Sequence, residues 1–278
     1  MNRKSKIENR KFKIAFIGGG NMAEAVMRGI IKAGLYQKRD VIVSDVDESR
    51  LQYCRSALGV RTCADNLEAV RSAKTAVLAV KPQQAPQVLA ELRKKLPKDV
   101  LLISIVTGFT TKRIAQLLGQ AVRVMRVVPN TPALVGLSAS AYCRGKGTTA
   151  QDKKLIENIL RSVGICIALD ERAMNAVTAL SGSGPAYVFY LVEALLEAGK
   201  KIGLPENEAR KLVVATVLGA ARLLQETGLP AGELRRRVTS RKGTTEAAIK
   251  ILDRRGVGKS IEAAALAAFK RAKELFAK

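Results

Sequence analysis

Hydrophobic residues follow two rhythms along this chain. Up to residue 168, short unbroken apolar runs recur at Lys13-Ile-Ala-Phe-Ile17, Val41-Ile-Val43, Thr75-Ala-Val-Leu-Ala-Val80, Val100-Leu-Leu-Ile-Ser-Ile-Val106 and Val122 to Val128. Each run stops at a turn-forming or polar group: Gly18 to Gly20, Ser44-Asp45, Lys81-Pro82, Thr107-Gly108 and Pro129. Runs of this length, bounded in this way, read as strands buried on both faces. Between the first two, Met22, Ala25, Val26, Gly29, Ile30 and Ala33 recur at helical spacing, with Gly34 as a stop, and Asp47 to Ala57 reads as a second helix. Strands alternating with amphipathic helices predict a parallel, doubly wound α/β sheet.

From Ala173 onward the strand pattern vanishes. Residues 186–201, 206–227, 234–238, 244–254 and 260–276 predict helices, broken at Gly203-Leu-Pro205 and Gly228-Leu-Pro230. The organisation expected is a flexible basic lead-in over 1–11, a doubly wound α/β sheet domain over 12–168, and an all-α domain over 169–278. Alanine-lined helices can approach closely, so the second domain is expected to carry a self-association face.

Composition adds three constraints. The 278 residues are 47% hydrophobic but only 4% aromatic, with no Trp, so the cores are built from Ala, Val, Leu and Ile. Lys and Arg number 48 against 24 Asp and Glu, a formal charge of +24. Those cations lie in short scattered groups (Arg93 to Lys95, Arg235 to Arg237, Arg254-Arg255) with no aromatic interleaving. That pattern speaks against specific nucleic-acid binding as the main function and for a solvated basic surface. There is no His, and the four cysteines lack CxxC spacing, so no metal site is expected and buried free thiols are. Ile14 to Ile17 is too short for a secretory leader, and no run reaches the about 20 apolar residues that span a bilayer. A cytoplasmic protein with no membrane partner is the expectation.

Candidate chemistry begins at Gly18-x-Gly20-x-x-Ala23, which follows a strand and opens a helix. In that context the first Gly permits the tight turn, the second lets backbone approach a pyrophosphate, and the small third residue allows close helix–strand packing. Asp45 ends the next strand, where an acid would bind ribose hydroxyls and repel a 2′-phosphate; this tilts the donor toward NADH, although Arg50 could still accommodate the phosphate. The ends of the other strands, at Lys81-Pro82, Val106-Thr107-Gly108 and Pro129-Asn-Thr-Pro132, should border the same ligand. Lys81 reads as a positioning group or a general acid.

The lack of His narrows the acceptor. Reducing a carbonyl needs a strong proton donor, often His, whereas a protonated imine already carries the charge that receives hydride. Tyr142-x-x-x-Lys146 imitates a catalytic Tyr/Lys pair but sits in a strand-and-turn context, so the match is read as chance. Ser181-Gly-Ser-Gly-Pro-Ala-Tyr187 and Val238-Thr-Ser-Arg-Lys-Gly-Thr-Thr245 each open a helix. Either serves as an ordinary cap or as a carboxylate-binding nest.

Taken together, Phe16 to Ala23, Ala79-Val-Lys-Pro82, Pro129-Asn-Thr-Pro-Ala133, Leu180 to Tyr187, Glu226-Thr-Gly228 and Val238 to Ile249 resemble the pyrroline-5-carboxylate reductase family, in order and over nearly the whole chain after residue 11. The resemblance implies a Rossmann domain followed by a helical dimerisation domain, with NADPH or NADH reducing a small cyclic imine, 1-pyrroline-5-carboxylate, to L-proline in dimers that in this family are often assembled further into decamers. By the same resemblance Phe16, Ile17, Gly18, Gly19, Gly20, Asn21 and Met22 match the cofactor turn, and Ser44 and Asp45 the ribose region. Asn66, Ala79, Val80, Lys81, Pro82, Val106 and Thr107 match further cofactor contacts. Glu171, Ser240, Gly243, Thr244 and Thr245 match substrate-side positions, with Thr245 the hydroxyl at the ring nitrogen. Subunit pairing is expected to complete the site.

There are departures from the family pattern. Where it reads Ser-Pro-Gly-Gly-x-Thr, this chain has Ser240-Arg241-Lys242-Gly243-Thr244-Thr245, and Val128 stands for the usual Met. If Lys242 must adopt a positive φ, strain of about 1 kcal/mol follows. A reductase of a related cyclic imine, or a non-catalytic cofactor-binding relative, would fit the altered loop as well.

Overall fold

The computed structural model describes residues 13–119 and 121–276. The expected flexible lead-in over 1–11 lies outside the described residues. Residues 13–183 together with 268–276 belong to one compact unit, and Gly184–Ala267 form a second.

The first unit is built on eight strands in one sheet: β1 (Ile14–Ile17), β2 (Val41–Ser44), β3 (Arg61–Cys63), β4 (Thr75–Leu78), β5 (Leu101–Ser104), β6 (Arg123–Val128), β7 (Ser138–Arg144) and β8 (Gly164–Ala168). Their order is β3-β2-β1-β4-β5-β6-β7-β8. The first six run parallel in the order of a dinucleotide-binding sheet, with the reversal of strand order beside β1. The expectation of a wholly parallel sheet needs one correction, because β7 pairs antiparallel with β6 and β8 then pairs parallel with β7. The reason is the short connection from Pro129 to Leu137; a parallel partner needs a crossover of about a dozen residues or more.

The apolar runs become strands because both faces are covered. Phe16 points into a cluster with Val26, Met27, Ile30 and Ile156. Its neighbour Ile17 points the other way, to Leu78, Leu89, Leu102 and Ile114. Full burial of side chains of this size contributes about 2–3 kcal/mol each. Helix α1 (Asn21–Lys32) lies on the first face through the predicted stripe, and Lys32 in its last turn suits the negative end of the dipole.

Sequence pattern did not reveal β3 and β8, which are the two edges of the sheet. In β8, Ile165 and Ile167 are exposed while Cys166 packs inward, and β3 is three residues long with Arg61 outermost. Cys54 and Cys143 are the buried free thiols expected, whereas Cys63 and Cys166 are only half-buried.

By its contacts this unit takes in the chain up to Ser183 together with residues 268–276. Met174 and Val177 pack on Val128, Ala141 and Cys143, so the start of the helical region is anchored to the sheet.

Helices α2 (Gly184–Lys201), α3 (Glu206–Thr227), α4 (Ala231–Arg237) and α5 (Thr244–Arg254) make up most of the second unit, with the start of α6 (Val257–Phe276). Helices α2 and α3 meet at Gly199 and Ala209, both buried; a Cβ at Gly199 would lie 3.1 Å from that of Ala209. Much of the remaining apolar surface is exposed, including Phe189, Tyr190, Leu191, Leu212, Leu218 and Leu266. The helical run Glu171–Lys201 is, by length and composition, long and apolar enough to cross a membrane, with a window mean hydropathy of 1.2 of which 6% is buried. Exposed apolar surface of this extent marks an interface.

Candidate cofactor and substrate sites

The glycine turn is shaped by its neighbours. Gly18 has φ +94°, and a Cβ there would stand 2.9 Å from the Ala79 carbonyl oxygen, so β4 closes against the turn. Its amide donates to the Ser44 carbonyl at 2.8 Å. The Gly19 amide donates to Asp45 Oδ2 at 2.7 Å, while Arg50 Nε donates to the Gly19 carbonyl. Gly20 caps α1 without a side chain, and a Cβ on it would meet nothing within 4 Å. The first amides of α1 thus face open space with the dipole behind them, as a pyrophosphate requires.

A cleft of about 420 Å³ opens from this turn. Gly18, Gly20, Asp45, Asn66, Ala79, Val80 and Lys81 line it. Asn66 is fixed by two side chains: its Oδ1 accepts from Ser44 Oγ at 2.8 Å and its Nδ2 donates to Glu91 at 3.0 Å. Val46, Asp47, Arg50, Gln84, Gln87, Val88 and Glu91 also line the cleft. Of these, Gln84 precedes the helix Ala85–Glu91, and Gln87, Val88 and Glu91 recur on it at three- and four-residue spacing. That spacing, straight after Lys81-Pro82, is the signal that reveals a lining face.

Four of the expected positions have buried side chains. Phe16, Ile17 and Ser44 are 0% exposed and Val106 is buried, so none offers its side chain to a ligand. They are core residues of strands whose ends form the site; Ser44 Oγ is spent on Asn66 and on the Phe16 carbonyl, 3.4 Å away. Met22 packs against Ala25, Ala133 and Val163, leaving Asn21 as the exposed side chain of the helix start. Pro82 and Thr107 border a neighbouring cleft of about 630 Å³ with Phe109, Arg113 and Arg271.

Glu171 belongs to the sheet unit, where its partners are charged and polar groups of β6 and the helix that follows β5. Its carboxylate accepts from Thr111 N at 2.6 Å and Thr111 Oγ1 at 2.9 Å, and lies 3.7 Å from the buried Arg126 guanidinium. It therefore caps the helix Thr111–Leu118 and balances a charge in β6. Tyr142, read above as a chance match, is a buried β7 residue donating to Glu157 at 2.6 Å; burial and that carboxylate push its hydroxyl well above the ordinary range. Ser181 donates to the Ala139 carbonyl, and Asn130 Nδ2 reaches the Ser181 carbonyl at 3.2 Å. These contacts pin the Pro-Asn-Thr-Pro turn to β7, which is a structural role.

In the helical unit, residues 240–245 form a tight turn into α5. The Gly243 amide donates to the Ser240 carbonyl at 3.0 Å, and a Cβ on Gly243 would overlap Ser240 Oγ. Lys242 takes φ +59°, the conformation that the missing glycine would have adopted freely. Its amide donates to Glu246 at 2.9 Å, and that bond, with the Lys250 ammonium 3.3 Å away, holds the Glu246 carboxyl below the usual carboxylate range. Gly243 caps α5 without a side chain, so the amides that open the helix beside the Thr244 and Thr245 hydroxyls carry no cap. Ser240, Gly243, Thr244 and Thr245 are thus brought together, and the set suits a small carboxylate. Among the described residues no cluster of His, Cys, Asp or Glu could hold a metal ion.

A strand, an open glycine turn, an acid at the next strand end and a cleft at the strand-order reversal define a dinucleotide-dependent oxidoreductase. Residues 13–108 match the family profile described as NADP oxidoreductase, coenzyme F420-dependent, and residues 171–275 match that described as pyrroline-5-carboxylate reductase dimerisation. The chain is 39% identical to the pyrroline-5-carboxylate reductase of Methanosarcina acetivorans, over 97% of this chain and 99% of that one. It is similar to the solved pyrroline-5-carboxylate reductase of Coxiella burnetii (TM-score 0.85, 41% identity, 95% of this chain and 98% of that one). A Plasmodium falciparum pyrroline carboxylate reductase structure with NADP bound gives TM-score 0.88 at 30% identity, over 96% and 99% of the two chains. The chain belongs to the pyrroline-5-carboxylate reductase family.

Proposed function

We propose that this enzyme reduces 1-pyrroline-5-carboxylate to L-proline with NAD(P)H, the closing step of proline biosynthesis, as a cytoplasmic homo-oligomer. The observation that supports this reading best is the presence in one chain of two open helix starts, at Gly20 and at Gly243, each suited to a different anion.

The turn at Gly18 to Gly20 fits the pyrophosphate of a dinucleotide, for the reasons of backbone access given above. When bound, the nicotinamide supplies hydride to C5 of the cyclic imine. The residues of this chain do the remaining work. The amides that open α5 and the hydroxyls of Ser240, Thr244 and Thr245 receive the substrate carboxylate, and α5 adds the favourable end of its dipole. Thr245 Oγ holds the ring nitrogen, donating to the neutral imine or accepting from the protonated one. With the nitrogen protonated, hydride addition forms the C–H bond and returns the C=N pair to nitrogen, so no strong acid such as His is needed.

Exposed apolar side chains on α2 and α3 supply the surface for self-association, with a dimer as the basic unit. Free thiols at Cys54, Cys63, Cys143 and Cys166 suit a reducing compartment.

The test is a steady-state assay of the purified protein with racemic 1-pyrroline-5-carboxylate. Proline should form in step with NAD(P)H oxidation. A folded protein that binds the cofactor yet turns over no imine, neither this one nor its six-membered homologue, would mark a non-catalytic relative.

A further inference from the structure

The cofactor cleft holds an acid and an arginine at the place where the two dinucleotides differ. NAD(H) carries a 2′-hydroxyl there and NADP(H) a dianionic 2′-phosphate; an acid at the end of the second strand favours the first, and a nearby free Arg accommodates the second. Which side chain prevails depends on where the charge of Arg50 is spent.

It is spent inward. Arg50 NH2 pairs with Glu24 Oε2 at 2.6 Å, and its Nε donates to the Gly19 carbonyl. Its guanidinium also lies 4.6 Å from the centre of the Tyr53 ring. The Glu24 side chain is only 10% exposed, and Arg28 Nε and Tyr53 OH each donate to its other oxygen at 2.8 Å. Burial alone would raise its pKa, but the hydrogen bonds from Arg50, Tyr53 and Arg28 outweigh that and hold it below the carboxylate range.

On the cleft side the balance is acidic. Asp45 accepts the Gly19 amide and, at 3.1 Å, the Asp47 amide. Asp47 accepts from Ser49 Oγ at 2.6 Å and from the amides that begin the next helix, contacts that keep its carboxyl well below the ordinary range. Glu91 faces the same cleft, and its remaining cation, Lys81, follows β4, on the far side of β1 from Asp45.

We infer that Glu24 is a cofactor-specificity residue that never touches the cofactor: by holding Arg50 against the glycine turn it withholds the arginine beside Asp45 and makes NADH the preferred donor. The inference rests on reading the glycine turn as the NAD(P)H site. Glu24 and Arg50 also act together as positioning residues, because the same clamp anchors the Gly19 carbonyl.

Binding can be measured apart from turnover, by fluorescence titration of the full-length protein with NADH and NADPH, with thermal melts to confirm folding. The wild type should bind NADH at least tenfold tighter. Glu24→Gln keeps the shape, removes the charge and releases Arg50, so the preference should shrink at least fivefold, mainly by tighter NADPH binding. Asp45→Asn should shrink it independently and serves if Glu24→Gln does not fold. Arg28→Gln removes a partner of Glu24 that does not line the cleft and should leave the ratio unchanged. Equal or tighter NADPH binding by the wild type would overturn the inference. So would an unchanged ratio in Glu24→Gln, or an equal shift in Arg28→Gln, which would indicate general loosening. Loss of imine turnover with the binding ratios intact would instead count against the proposed reaction alone.

Discussion

The helix beginning at Asn21 and the helix beginning at Thr244 both start on a glycine with no capping side chain, but they are supported in opposite ways. At the first, the turn is enclosed: Gly18 and Gly19 are buried, β4 closes on one side, and Asp45 and Arg50 hold both polar groups of the Gly19 peptide. At the second, Ser240, Arg241 and Lys242 are exposed, and the turn is held by one backbone bond and one from Glu246. A site enclosed by core packing tolerates little change, whereas an exposed one can diverge at Arg241-Lys242 while keeping its amides and hydroxyls. The difference also separates the tasks, since a large cofactor needs a rigid cradle and a small acid needs only a few donors.

Mutations that break the enclosed turn should have the largest effect. Gly18→Ala forces a side chain into a positive-φ position against the Ala79 carbonyl. Strain of about 1–2 kcal/mol from the backbone alone should lower the melting temperature by several degrees. Affinity for NADH and NADPH should fall together, which titration will read.

Next comes the hydroxyl at the second helix. Thr245→Ala should lower kcat by roughly 10- to 100-fold, the range expected for a positioned proton-transfer or hydrogen-bonding group, with cofactor affinity unchanged. Thr245→Ser should recover most of the rate. Unaltered kcat in the alanine variant would remove Thr245 from the reaction.

A smaller effect is expected from Gly243→Ala, which pushes on Ser240 Oγ. Its KM for the imine should rise by about tenfold, equivalent to losing one charge-assisted hydrogen bond, while the cofactor dissociation constant stays put. Equal damage to both constants would show that the two helix starts are not independent.

The smallest change is a gain. Lys242→Gly relieves the positive φ and should stabilise the protein by about 0.5–1 kcal/mol in urea unfolding, the steric relief exceeding the added chain entropy. A loss of stability would show that the Lys242 side chain contributes something its exposure does not suggest.

Much of the fold and part of the site were legible in the residue pattern. The five apolar runs are strands because each is covered on both sides, and the helices of the second unit begin and end close to their Gly-Leu-Pro breaks. The edges β3 and β8 were hidden because one is very short and the other turns two isoleucines outward. The reversal of β7 was not foreseen, since direction is set by connection length, which apolar pattern does not report. Gly18, Asp45 and Lys81 could be placed from spacing, as they end strands at the reversal of order. Arg50 and Glu24 could not be resolved in the same way, because their pairing is a tertiary event between two helices. Phe16, Ile17, Ser44 and Val106 were grouped with the ligand contacts by the family resemblance, and the strand pattern does not report that their side chains are buried.

The most direct test of the central claim follows the hydride itself. With NADH or NADPH deuterated at the transferred C4 position, and the imine as substrate, proline should carry one deuterium at C5. Proline without that label, or labelled at C5 only when the reaction is run in heavy water, would contradict the account.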